Sequence, residues 1–139
     1  MKVDISRIND AFHMQALGQS NVSINIDASP NIGGVDAGAR PMELLLMSLG
    51  SCSAVDVIQI LKKQKQAIEH FSVAIDASRV ENQIPSVFKS INVCFKVEGN
   101  VDKNKLKRAI TLSKEKYCSV SAMLHHAVDI SYTYELNKS

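Results

Sequence analysis

Three cysteines carry most of the chemical potential of this sequence: Cys52, Cys94 and Cys118. Cys52 sits in "LGSCSAVD", among Gly50, Ser51, Ser53 and Ala54. Two uses are open to it. A free cysteine is often an inert, buried small hydrophobe, whereas small neighbours leave volume that a ligand or a second sulfur can enter. Attack on a substrate needs the thiolate, because the thiol itself is a poor nucleophile. Cys118, in "YCSVSAML", is the natural second sulfur. It follows Lys114 and Lys116 and stands where a helix N-terminus would favour a thiolate. The alternative for Cys118 is a small buried residue at a helix boundary. Cys94 falls between Asn92 and Lys96 on the polar face of an alternating segment and reads as structural.

A thiol at position 52 needs a group that ionises it. A helix starting at Pro41 places Cys52 about three turns in, too deep for the helix N-terminus to act on it. The field must then come from a cation. Arg40 stands at the helix entrance and Glu43 one turn inside, so the two are candidates for an ion pair lining a pocket floored by Cys52. Arg40 lies about 18 Å along the axis from Cys52. It therefore serves the thiol only through loop geometry or across a dimer interface. Asp56, four residues after Cys52, is an unusual charge in an apolar stretch. A carboxylate there would raise a neighbouring thiol's pKa, so Asp56 either pairs with a base or faces an exposed stripe.

Other chemistries have weaker support. The cysteines have no C-x-x-C spacing and the histidines no H-x-x-x-H spacing, and the side chains of adjacent His125 and His126 are expected to point apart. No metal is expected. "NIGGVDAG" matches neither phosphate-binding glycine pattern, so no cofactor is expected either. An odd number of cysteines in a chain of 139 residues argues against a disulfide framework; any pairing would be chemical and transient.

The elements that must position these groups follow from periodicity. Phe12, Met14 and Ala16, then Val22, Ile24 and Ile26, alternate around "GQSN" and predict a hairpin. "PNIGGVDAGA" predicts a loop. From Pro41 to about Gln66 a long helix is expected, opened by proline and closed by "LKKQKQ". It is apolar nearly all round, so more than one side needs cover, and a second subunit could supply it. "FSVAIDASRV" and "SVFKSINVCFKVEG" read as strands about the turn "ENQIP". "DKNKLKRAITLSKEKY" reads as an amphipathic helix with Asp102 or Asn104 as N-cap, and Leu106, Ile110 and either Leu112 or Ser113 on its buried stripe. A short helix at "CSVSAMLHHA" and a strand at "VDISYTYEL" follow. The sum is an α+β fold, with helices on one face of an antiparallel sheet rather than alternating βαβ units.

The chain's size suits a single domain, residues 1–139. A net charge of +2, dispersed lysines and 5% aromatics give no nucleic-acid footprint. "MKVDISRINDAF" has no apolar signal region, and no run is expected to reach the length of a membrane span, so no membrane association and a cytoplasmic location are expected.

"ARPMELLLMSLGSCSAVDVIQILKK" with the distant "YCSVSAML" resembles the OsmC/Ohr family of osmotically induced and organic-hydroperoxide-resistance proteins, most closely its OsmC-like branch. The resemblance implies an OsmC-like α+β fold, an intertwined homodimer of antiparallel sheets around long central helices. It also implies peroxiredoxin-like thiol peroxidase activity in the oxidative stress response. Cys52 would attack an organic hydroperoxide and become a sulfenic acid, which Cys118 would condense to a disulfide. A dithiol or lipoylated reductant would restore both. The family's arginine and glutamate hold the thiolate and peroxide at the dimer interface; here Met42 stands where the glutamate is expected and Glu43 follows it, and the arginine falls to Arg7 or Arg40. The alternative is a non-catalytic dimer that binds a small hydrophobic or acyl ligand over Cys52.

Overall fold

The structure is a computed structural model and describes residues 1–138. It is an α+β fold with two three-stranded sheets and one long helix. The chain divides into two compact units, Met1–Met47 and Ser48–Ser139.

The first unit is an antiparallel meander of β1 (Asp4–Arg7), β2 (Met14–Leu17) and β3 (Ser23–Ile26). The predicted hairpin is β2–β3, with Met14 opposite Ile26 and Ala16 opposite Ile24. Phe12 and Val22 fall outside its strands. β1 was not legible, since "DISR" is exposed along its whole length and offers no alternation. After β3 the predicted loop contains a 3-10 turn, Pro30–Ile32, capped by Ser29. The loop closes on one buried carboxylate. Asp27 accepts the backbone N–H groups of Ala28 at 2.7 Å and of Val35 and Ala37 at 3.0 Å each. These bonds, Ala37's foremost, hold the Asp27 carboxyl below its ordinary pKa against the opposing effect of burial.

Helix α1 runs from Pro41 to Lys63 and ends in two lysines, which suit the negative end of the helix dipole. Within it Leu49, Ser53, Val57 and Leu61 are buried, one residue every four and hence a single stripe. Leu45, Met47 and Val55 are exposed. By length and composition α1 is apolar enough to cross a membrane, which corrects the expectation that no run reaches that length. Two of its polar groups are hydrogen-bonded within the second unit, Ser53 to Cys118 and Asp56 to Ser113.

The second unit holds β4 (Ala67–Arg79), β5 (Phe88–Asn100) and β6 (Asp129–Leu136) in that spatial order. β4 and β5 pair antiparallel, as a hairpin must. β5 and β6 pair parallel, which corrects the expected all-antiparallel sheet. Parallel neighbours need a crossover. Here α2 (Lys103–Leu112), a π-helical turn (Ser113–Tyr117) and α3 (Ser119–Leu124) provide it, so this half contains a βαβ unit, contrary to the expected fold without one. Asp102 caps α2 by accepting the N–H of Lys105 at 2.9 Å. The alternation in β5 is as read: Ile91, Val93, Phe95 and Val97 are buried, and Cys94 lies on the other face. With Leu106, Leu49, Val57 and Leu61 they form most of the core, and each such burial contributes about 1.5–3 kcal/mol. Phe95 also meets the rings of Phe71 and Tyr132, at 6.2 and 6.5 Å.

Candidate functional site, a two-thiol centre

The π-helical turn after α2 is the local feature that builds the site. Its closing bond runs from the Cys118 N–H to the Ser113 carbonyl at 2.8 Å, five residues back. Such turns widen a helix and often sit at functional positions. Here the widening leaves Cys118 as N-cap of α3, where its Sγ accepts the Ser121 N–H at 3.3 Å. At the turn's other end Ser113 is buried and donates its hydroxyl to Asp56 Oδ2 at 2.9 Å.

From α1, Ser53 is fully buried and donates to Cys118 Sγ at 3.4 Å. Cys52 and Asp56, four residues apart, share a face of the helix. As a result one sulfur of Cys52, one carboxylate oxygen of Asp56 and the sulfur of Cys118 lie within 4.8 Å of one another. Cys118 is buried, Cys52 and Asp56 half-buried.

The room left by the small residues around Cys52 is taken up by neighbouring elements, the second sulfur among them. Gly50 is buried against β4, where a Cβ would come within 2.6 Å of Ile75 Cδ1. Ser53 is filled in against Cys118. Both let neighbouring elements approach closely, which is how the second sulfur reaches the first.

The surroundings act on the Cys118 thiol in opposing ways. Burial pushes Cys118 above the ordinary thiol pKa; the hydrogen bonds from Ser53 and Ser121 pull the other way, and Cys52 adds to the rise. The helix N-terminus expected to favour a Cys118 thiolate is present, but desolvation outweighs it. Tyr132 on β6 shares this environment. Its phenol meets the Ser121 hydroxyl at 2.9 Å, and burial raises its pKa, opposed by that bond and reinforced by Cys118 and Cys52. A cavity of about 400 Å³ adjoins this edge, lined in part by Lys114, Ser121, His125 and Tyr132.

Arg7, Arg40 and Glu43 belong to the first unit. Arg40 pairs with Asp36 at 2.6 Å, not with Glu43, because the loop's own carboxylate lies four residues before it. Glu43 is exposed in the first turn of α1. Arg7 donates to the backbone carbonyls of Asp10 and Ala11. The rings of His125 and His126 do not point apart; their centroids are 3.8 Å from each other. Sequence reasoning missed Ser53, Ser113 and Tyr132 as parts of the site and left Asp56 unplaced. The i, i+4 spacing of Cys52 and Asp56 was the available signal.

Fold and site together define an α+β protein with two thiols converging on a helical carboxylate. The family profile described as OsmC-like protein matches residues 34–133. The chain belongs to the OsmC/Ohr family, in its OsmC-like branch. Protein YhfA of Escherichia coli (strain K12) is 41% identical over 121 residues, spanning 86% of this chain and 88% of its own length. A hypothetical protein from Aquifex aeolicus VF5 superposes with a TM-score of 0.85 at 32% identity, over 98% of this chain and 95% of its own. The organic hydroperoxide resistance protein OhrB of Bacillus subtilis shares the fold, with a TM-score of 0.64 at 22% identity over 96% of each chain.

Proposed function

We propose that this chain is a cysteine-based thiol peroxidase that reduces organic hydroperoxides in the oxidative stress response. The observation that carries the proposal is the convergence of Cys52 and Cys118 within 4.8 Å. Cys52 is the more accessible of the two and takes the role of nucleophile. Its thiolate attacks the O–O bond of ROOH, takes one oxygen to become a sulfenic acid, and releases ROH after proton uptake. Cys118 keeps its proton in the resting site because burial raises its pKa. It then displaces hydroxide from the sulfenic sulfur, which leaves as water and gives a Cys52–Cys118 disulfide. Two electrons from a dithiol or lipoylated reductant restore both thiols.

The acting form in this proposal is a cytoplasmic homodimer of single-domain chains, residues 1–139. Leu45, Met47 and Val55, exposed along α1, support a covering partner. Arg40 and Glu43 enter as the family's cation and acid, brought to the thiolate by the partner chain. OhrB's description as an organic hydroperoxide resistance protein, on a shared fold, adds to the case for this substrate class. The test is turnover of cumene hydroperoxide with dihydrolipoamide as reductant. Activity is expected in the native chain and in Cys94→Ser, and none in Cys52→Ser. A folded native protein without turnover, or an active Cys52→Ser variant, would refute the proposal.

A further inference from the structure

We propose that the reduced site is also a binding site for a thiophilic divalent cation of the zinc type, held by Cys52 Sγ, Cys118 Sγ and the Asp56 carboxylate. The inference goes beyond the peroxidase reading and does not depend on it. It starts from the donor set: two sulfurs and a carboxylate oxygen, each within 4.8 Å of the others. Zinc bonds sulfur at about 2.3 Å and carboxylate oxygen at about 2.0–2.2 Å, so tetrahedral ligation puts its two sulfurs about 3.8 Å apart. The observed spread requires a contraction of about 1 Å or less, within reach of side-chain rotation. Two thiolates select a soft or borderline cation over magnesium or calcium.

The surroundings match those of a ligated metal. The Ser121 N–H and the Ser53 hydroxyl both donate to Cys118 Sγ, an arrangement that favours negative charge on the sulfur against the effect of burial. The Ser113 hydroxyl holds Asp56 Oδ2, the kind of outer contact that orients a ligating carboxylate. Cys52 and Asp56 present their donors from one helical face at i, i+4, a spacing that helical zinc sites use for ligand pairs. Three protein ligands leave a fourth position for water or an incoming small ligand.

Binding replaces two thiol protons by one cation, so M²⁺ plus two S–H groups gives a dithiolate complex and two protons. The site then exists in two exclusive forms. A disulfide has no lone thiolate to give, and a metal-bound pair has no free thiolate to attack a peroxide.

The experiment is equilibrium dialysis of the anaerobically reduced, full-length protein against zinc, with bound metal measured by mass spectrometry and cobalt used as the optical probe. One zinc per chain is expected, with a thiolate-to-cobalt charge-transfer band and about two protons released per metal below the thiol pKa values. Cys52→Ser and Cys118→Ser should each weaken binding by more than about 100-fold, and Asp56→Asn by at least about tenfold, since loss of outer contacts alone costs about 10–100-fold. Cys94→Ser and His126→Gln should bind as the native chain does. Circular dichroism of each variant separates lost ligands from lost fold. Binding that survives Cys52→Ser with Cys118→Ser, that disappears in Cys94→Ser, or that lacks the cobalt charge-transfer band would overturn the proposal, as would no binding by the folded native chain. Peroxide turnover with no zinc bound, or zinc bound with no turnover, separates this proposal from the peroxidase one.

Discussion

Removing the Ser53 hydroxyl tests how the site sets the acidity of its buried thiol. Ser53 is fully buried and its hydroxyl donates to Cys118 Sγ at 3.4 Å, a bond that Ser53→Ala removes. A hydrogen bond to a charged acceptor is worth about 1.5–3 kcal/mol, and at this length the low end applies. At 1.36 kcal/mol per pKa unit, about 1.5 kcal/mol raises the Cys118 pKa by about one unit. The direction agrees with the site, where Ser53 opposes the effect of burial. A pH titration of thiolate absorbance in a Cys52→Ser, Cys94→Ser background reads the shift directly. There is a kinetic consequence for disulfide closure. Tenfold less thiolate is partly offset by a more basic, more nucleophilic sulfur, with a Brønsted coefficient of about 0.4–0.5, so closure slows about threefold near neutral pH. A pKa that stays put or falls in Ser53→Ala would refute this account of the site.

Three further outcomes are expected. Gly99 has a φ of +133°, and a Cβ there would run into the Ala67 carbonyl, so Gly99→Ala should cost at least about 2 kcal/mol, read as a lower urea midpoint at unchanged slope. Because Asp27 has a lowered folded pKa, its stabilisation is present above the ordinary value of about 3.9 and is lost as pH falls through the folded value. The native chain should therefore lose stability below about pH 4 more steeply than Asp27→Asn, as followed by thermal melts across that range. A charge on the exposed face of α1, Val55→Glu, should convert a dimer to monomer in sedimentation analysis while secondary structure is kept; a dimer that persists would exclude this face as the interface.

Much of the fold was legible because its elements obey strong local rules. The β4–β5 hairpin, the proline-opened α1 and the Asp102 cap all follow from periodicity, turn chemistry and capping. The parallel β5–β6 pairing was not, because strand direction is set by the crossover that α2 and α3 make and not by any residue of "DISYTYEL". At the site, both sulfurs could be picked from their neighbours in sequence. Asp56 stood out as a charge at i, i+4 from Cys52, but its partner could not be read, since Ser113 lies 57 residues away and meets it through the π-helical turn. The same long-range convergence is why ligand spacing along the chain points to no metal set, although three donor atoms meet. The expected Arg40–Glu43 pair is replaced for a local reason: Asp36, in a left-handed conformation with φ of 55°, stands four residues before Arg40 and takes its guanidinium.

The central claim is that Cys52 and Cys118 act as one redox pair. The most direct measurement is peptide mass mapping after the anaerobically reduced protein meets one equivalent of cumene hydroperoxide. Loss of two thiols per chain, an intramolecular Cys52–Cys118 disulfide and an unmodified Cys94 are expected. Intact Cys52 and Cys118, or oxidation confined to Cys94, would contradict the claim.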